Sequence, residues 1–262
     1  MTLLYAIGDI HGQKAMLDQA LDLIAADGGA DAKVVFLGDY TDRGPDSRAV
    51  VDTLIAGRDD GRNWHFVKGN HDRMFMRYLR DGREDDPRIA SGRSWLHPRL
   101  GGPTTLASYG VIGTPSFGRD DSSGLELLNG FTTETATLNP AQLLAAAQDA
   151  VPQAHIDFLE GLPLIHETED QIFVHAGLQM DRALDAQDED DLLWIRAPFL
   201  ESQVDYGRLI VHGHTALDAP QHYGNRLNLD GGAGYGRPLV PVVISGWDAW
   251  ALTENGRTAI TP

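Results

Sequence analysis

The apolar run Val34-Val35-Phe36-Leu37 and the loop after it, Gly38-Asp39-Tyr40-Thr41-Asp42-Arg43-Gly44, constrain this chain more than any other stretch. The run is short, uninterrupted and partly β-branched, the pattern of a parallel strand buried on both faces. Its carboxyl end is where open α/β sheets bind ligands. Two carboxylates and an arginine held between glycines are costly to gather on one loop unless the charge is compensated. A metal ion would compensate it.

The same design recurs. Leu3-Leu4-Tyr5-Ala6-Ile7 ends in Gly8-Asp9-Ile10-His11-Gly12, and Trp64-His65-Phe66-Val67 ends in Gly69-Asn70-His71-Asp72. Residues two apart on an extended segment share a face, so Asp9 and His11 can grip one ion together. Further on, Phe173-Val174-His175-Ala176-Gly177 and Val211-His212-Gly213-His214-Thr215 repeat apolar strand, histidine and glycine. Oxygen and imidazole donors without thiolate suit Mn, Fe or Zn. Asp9, His11, Asp39, Asn70, His175 and one of His212 and His214 are too many donors for one open catalytic ion and suit two that share a bridging carboxylate.

The series GDIHG, GDYTDRG, GNHD, HAG and GHT resembles the signature of the phosphoprotein-phosphatase branch of the calcineurin-like metallophosphoesterases, and it runs from Gly8 to Thr215. Asp72 is its one departure, at a position where that branch usually has Glu. The resemblance implies that Asp9 and His11 hold a first divalent ion, that Asp39 bridges, and that Asn70, His175 and His214 hold a second. His212 could compete as a ligand, but His214 matches the GHT position. Ions sharing a bridging water would make hydroxide available for in-line attack on phosphorus.

The leaving oxygen needs a proton, and His71, oriented by Asp42, is placed to give it. Arginine's planar fork suits the non-bridging phosphoryl oxygens. Arg43 lies inside the second motif, and Arg196, in Leu192-Leu193-Trp194-Ile195-Arg196, is similar to a Trp-x-Arg stretch of bacterial relatives. His65, His97, His155, His166 and His222 fit no motif and are read as structural.

The 262 residues suit a single domain, 1–262, able to bury a sizeable core, with a cap-like insertion at about 73–151. There the strand pattern gives way to Gly, Pro, Asp and short apolar clusters, so a helical and loop structure is expected. Trp95-Leu96 with Gly101 to Gly110 is similar to a stretch of bacterial protein phosphatases. After the insertion, Leu164–His166, Ile172–Val174, Leu209–Val211, Leu227–Leu229 and Val240–Ile244 read as strands of a second, more antiparallel sheet. The expected fold is α/β, a four-layer α/β/β/α sandwich of two mixed sheets.

Zero cysteines exclude a phosphocysteine intermediate. The net charge of −17 disfavours nucleic-acid polymers and anionic membranes as partners. No apolar run is long enough to span a bilayer, and the first residues lead into a strand, so a cytoplasmic location is expected. The acidic runs Asp59-Asp60, Glu84-Asp85-Asp86, Asp120-Asp121 and Asp188-Glu189-Asp190-Asp191 read as solvated loop or helix ends. The expected activity is that of a manganese-dependent serine/threonine phosphoprotein phosphatase acting on a phosphoprotein or small phosphoester. The alternatives are a symmetrical dinucleoside tetraphosphate hydrolase, which shares all the motifs, and a metal-binding scaffold without catalysis.

Overall fold

The computed structural model describes residues 3–89, 91–120 and 123–262. Met1 and Thr2, and Asp121 of the Asp120-Asp121 run, lie outside them. Leu4–Ile7 (β1) leads into Lys14–Gly28 (α1), Val34–Phe36 (β2) into Ser47–Asp59 (α2), and Trp64–Phe66 (β3) into Asn70–Asp81 (α3). The three strands are parallel neighbours, with Tyr5 opposite Val34 and Val34 opposite Trp64. Their alternation divides the core. Tyr5, Ile7, Val34 and Phe36 pack with Leu17 and Ile24 of α1 and Val50 and Leu54 of α2. Leu4, Ala6, Val35 and Leu37 face the other way. Gly57 lies within α2 and is buried.

The 73–151 segment differs from the expected helical and loop insertion. It holds Gly102–Ser108 (α4), then Thr114–Arg119 (β4), Glu126–Thr132 (β5) and Thr137–Leu138 (β6) as an antiparallel sheet, then Pro140–Ala150 (α5). The pattern hid these strands because β4 is nowhere fully buried and its register shifts between Ser116 and Phe117. At the start of α5, Asn139 and Gln142 cap each other reciprocally, each bond 3.0 Å.

Gln153–Glu160 (α6) precedes the second sheet, which comprises Ile165–Glu167 (β7), Gln171–Val174 (β8), Leu209–His212 (β9), Gln221–His222 (β10) and Arg226–Asn228 (β11) in the order β10-β11-β9-β8-β7. Its centre is parallel rather than antiparallel, since β9 runs with both β8 and β11. Phe173, Leu209, Val211, Leu227 and Leu229 meet the inward residues of the first sheet. On the outer face Ile172, Val174 and Ile210 pack under Glu189–Trp194 (α7) and Ala197–Leu200 (α8), through Leu192, Ile195 and Phe199. Helices, sheet, sheet and helices thus make the four layers. None of the described helices is long and apolar enough to cross a membrane.

The Val240–Ile244 strand was expected in this second sheet. It is instead Val242–Ser245 (β12), antiparallel to β1 with Leu4 opposite Ile244, and it carries the hairpin Asp248–Thr253 (β13) and Gly256–Ile260 (β14) to the far edge of the first sheet. An apolar run does not specify its partner, because pairing is decided by contacts distant in sequence.

Two acidic runs expected to be solvated are partly buried in ion pairs. Asp86 is buried and accepts hydrogen bonds from Arg73 at 3.0 Å and Arg77 at 2.8 Å. Asp190 accepts from Arg73 at 2.6 Å and Asp191 from Arg88 at 2.9 Å. A buried carboxylate needs such charged partners. Together they fasten the insertion between α3 and α7, the two helices that flank the loops described next.

Candidate metal centre

The chain leaves five strands at one edge. Asp9 and His11 follow β1, and Asp39, Asp42 and Arg43 follow β2; Asn70 and His71 open α3 just beyond β3, and His175 and His214 follow β8 and β9. All six expected donors are buried. Among the described residues, the non-glycine positions with positive φ are His11 (48°), Asp39 (52°), Asp42 (72°), Arg43 (66°) and His214 (64°), every one an expected site residue. Such backbone costs on the order of 1–3 kcal/mol per residue and persists where the surroundings over-determine it, commonly at functional sites.

Asp39 stands at the centre. Its Oδ2 is 3.4 Å from His11 Nε2 and its Oδ1 is 3.5 Å from His175 Nε2, so its two oxygens face two different imidazoles. The outward nitrogens are tied to backbone carbonyls, His11 Nδ1 to Thr41 at 2.9 Å and His175 Nδ1 to Leu37 at 2.8 Å. Each inward nitrogen is then an acceptor, as in metal-ligating histidines. His175 Nε2 and His214 Nδ1 both approach Asn70 Oδ1, each at 2.8 Å, while His214 Nε2 is buried without a partner. The backbone N–H of His214 donates to Asp9 at 3.1 Å.

The electrostatics fit a cation. Burial, then Asp230 and Asp39, push the Asp9 carboxyl well above its ordinary range, and burial and Asp72 do the same to Asp39. Burial lowers His11 and His214 well below the usual imidazole range and takes His175 down to about 4, so these rings are neutral near pH 7. Crowded buried carboxylates among neutral imidazoles and an orphaned ring nitrogen are what divalent ions would satisfy. Among the described residues, two groups of side chains lie close enough to hold an ion, Asp9 with Asp39 and His175, and His11 with Asp39 and His71. Asp39 belongs to both. The second group brings His71 within reach of an ion, although its sequence position suggested only a proton donor.

His71 Nδ1 lies 2.7 Å from Asp42 Oδ2. Asp42 also accepts from the Trp95 indole N–H at 2.8 Å and the Thr105 hydroxyl at 2.7 Å. Burial pushes Asp42 up to about 7 against these donors, and burial with the Arg43 charge lowers His71. Arg43 turns its guanidinium toward both rings, touching His11 Nε2 through Nη1 and lying 3.1 Å from His71 Nε2 through Nη2. The insertion reaches the loop here as well: at Gly101 (φ 100°) a Cβ would fall 2.0 Å from the Arg43 backbone nitrogen.

Asp72, the one departure from the motifs, bonds the backbone around it. Its carboxylate accepts the backbone N–H groups of Asp39 at 2.9 Å, Tyr40 at 3.0 Å and Gly69 at 3.0 Å, so it caps α3 and clamps the β2 loop to it. Sequence reading missed Asp230, which is buried beside Asp9, and Tyr235, whose ring lies 4.9 Å from the Arg43 guanidinium carbon. Between them Gly234 lets the chain press on the centre, since a Cβ there would stand 2.6 Å from the His11 ring. Arg196 is exposed, and with Arg43, His71 and His214 it lines a cavity of about 430 Å³ to which the insertion contributes Arg88, Ile89, Ser91 and Leu100.

Acids and imidazoles converging from successive strand ends of a four-layer sandwich, with arginines around them, define a metal-dependent phosphoesterase. The calcineurin-like phosphoesterase family model matches residues 3–246, and the chain belongs to that family. Solved structures share the fold. One is described as a candidate diadenosine tetraphosphatase, 20% identical over 96% of this chain and 93% of that one, with TM-score 0.60. The cold-active protein-tyrosine phosphatase of a psychrophile, Shewanella sp., is 15% identical over 100% of this chain and 81% of that one, TM-score 0.59. A protein serine/threonine phosphatase from Saccharomyces cerevisiae is 17% identical over 99% and 78%, TM-score 0.51. No curated protein matches the chain.

Proposed function

We propose that the protein is a serine/threonine phosphoprotein phosphatase that works with two divalent ions, manganese best, held by Asp9, His11, Asp39, Asn70, His175 and His214. The ions supply Lewis acidity that makes water a nucleophile near neutral pH. The chain's own groups do the rest. Arg43 and Arg196 take the non-bridging phosphoryl oxygens in charge-assisted contacts. His71 passes a proton from its Nε2 to the leaving oxygen. Asp42, fixed by Trp95 and Thr105, stabilises the protonated ring and holds it through Nδ1.

The observation that carries this reading is the buried Asp42–His71 pair at 2.7 Å. A serine or threonine alkoxide is strongly basic and leaves poorly without a proton, so a built proton donor is of most use on alkyl phosphates. A second reading, hydrolysis of dinucleoside tetraphosphates, is favoured by Tyr235, which is 62% exposed and could stack a base. A panel on the manganese-loaded enzyme decides between them: phosphoserine and phosphothreonine peptides should be turned over with higher kcat/KM than diadenosine tetraphosphate, and the reverse order would sink the phosphatase reading.

Arg196→Ala should lower kcat/KM on the order of 10²-fold and weaken inhibition by inorganic phosphate, as expected for one charge-assisted contact that tightens in the transition state. Lysine should restore little, because it offers a point charge without the fork. Unchanged phosphate inhibition in Arg196→Ala would remove this arginine from the site.

A further inference from the structure

We propose that Arg88 forms a second anion subsite in the active-site pocket, taking the carboxylate of an acidic residue that neighbours the phosphorylated residue of a peptide substrate. This rests on the phosphopeptide reading above. The chain carries a net charge of −17, yet the residues lining this cavity include Arg43, Arg88 and Arg196 and one carboxylate, Asp39, which belongs to the metal set. Arg43 and Arg196, with the ions, account for the transferring phosphoryl group. Arg88 comes from the insertion, which also supplies Ile89, Ser91 and Leu100 to the lining. A third guanidinium there has no task at the scissile phosphate, and its position suits an anion carried elsewhere on the substrate.

Arg88 is also held in place. Its backbone N–H donates to Asp86 at 3.0 Å, and Asp86 is buried under Arg73 and Arg77. Its Nη2 donates to Asp191 at 2.9 Å, with the side chain still 39% exposed. Its Nε also lies 3.9 Å from Asp190, and of the five N–H donors of a guanidinium these contacts leave those of Nη1 to a ligand. These carboxylates take part of its charge, while the anchoring removes the ordering cost that a free arginine would meet on binding. The subsite is therefore a preset charge among the residues that line the pocket.

The test uses two phosphothreonine peptides that differ only in Ala or Glu beside the phosphoresidue. The wild-type enzyme should favour the acidic peptide by about 10-fold in kcat/KM, the value of one partly exposed charge-assisted contact. The preference should shrink as salt is added. In Arg88→Gln the ratio should fall to about 1, with Arg88→Lys between the two. Because the readout is a ratio, a general loss of activity from a disturbed clasp cancels. A wild-type ratio near 1, or a ratio unchanged in Arg88→Gln, overturns the subsite. If no peptide is turned over but diadenosine tetraphosphate is, the phosphopeptide reading fails by itself. The subsite then stands only if the ratio of diadenosine tetraphosphate to p-nitrophenyl phosphate turnover drops about 10-fold in Arg88→Gln, and an unchanged ratio overturns it.

Discussion

Asp39→Asn will leave the protein with neither ion, and turnover will fall by more than the roughly 10–100-fold typical of changes outside the ligand set. Asp39 is the one side chain common to both candidate ligand groups, and its two oxygens face His11 and His175 separately. Asn keeps the shape but offers one neutral oxygen, so each ion loses a charged donor at once. Metal analysis of the purified variant checks this. Two ions retained per chain would remove Asp39 from the bridging position. Chelation of the wild-type protein should do the same reversibly, with manganese the best restorer.

Stability should follow. With no cation present, burial raises the Asp9 and Asp39 carboxyls well above their unfolded values. A raised carboxyl pKa means that the folded chain binds more protons than the unfolded one, so stability falls as pH rises above the unfolded value near 4. Ions bound only by the folded state offset that loss. Chelation should therefore lower Tm more at pH 8 than at pH 5. An equal drop at both would show that these carboxylates do not depend on the metal for their charge.

The site was legible in the sequence to the extent that its signals were local. An apolar strand ending in Gly with Asp, Asn or His is read within a few residues, and all five such ends converge. A sixth carried the same signal: Leu227-Asn228-Leu229 runs into Asp230-Gly231, and Asp230 is buried beside Asp9. Its loop matches none of the five motifs, so nothing local ties it to them. Trp95 carries a signal only as part of a stretch similar to bacterial phosphatases, which gives it no role, and Arg88 carries none. They reach the site only because the insertion folds back, through Gly101 against Arg43 and through the arginine pairs of Asp86 and Asp191. The same reason hid the partner of β12 and the sheet of the insertion. Acidic runs were misread for a related cause, since whether Asp86 or Asp191 is solvated depends on arginines placed by other elements.

The proton donor can be tested by asking what a leaving group needs. If His71 supplies the proton, His71→Asn should cost about 10²–10⁴-fold with phosphoserine peptides. With p-nitrophenyl phosphate, whose phenolate is weakly basic and departs unaided, the loss should be far smaller. Asp42→Asn should behave similarly, because the carboxylate that bonds Nδ1 at 2.7 Å favours the protonated ring, and the double variant should add little to either single one. Metal content discriminates the competing role. His71 stands close enough to His11 and Asp39 to share an ion with them, so a variant that lost metal would be failing as a ligand. Full metal content with a loss confined to the alkyl phosphate is the expected result. Equal losses on both substrates, or loss of an ion, would transfer His71 from proton donor to metal holder.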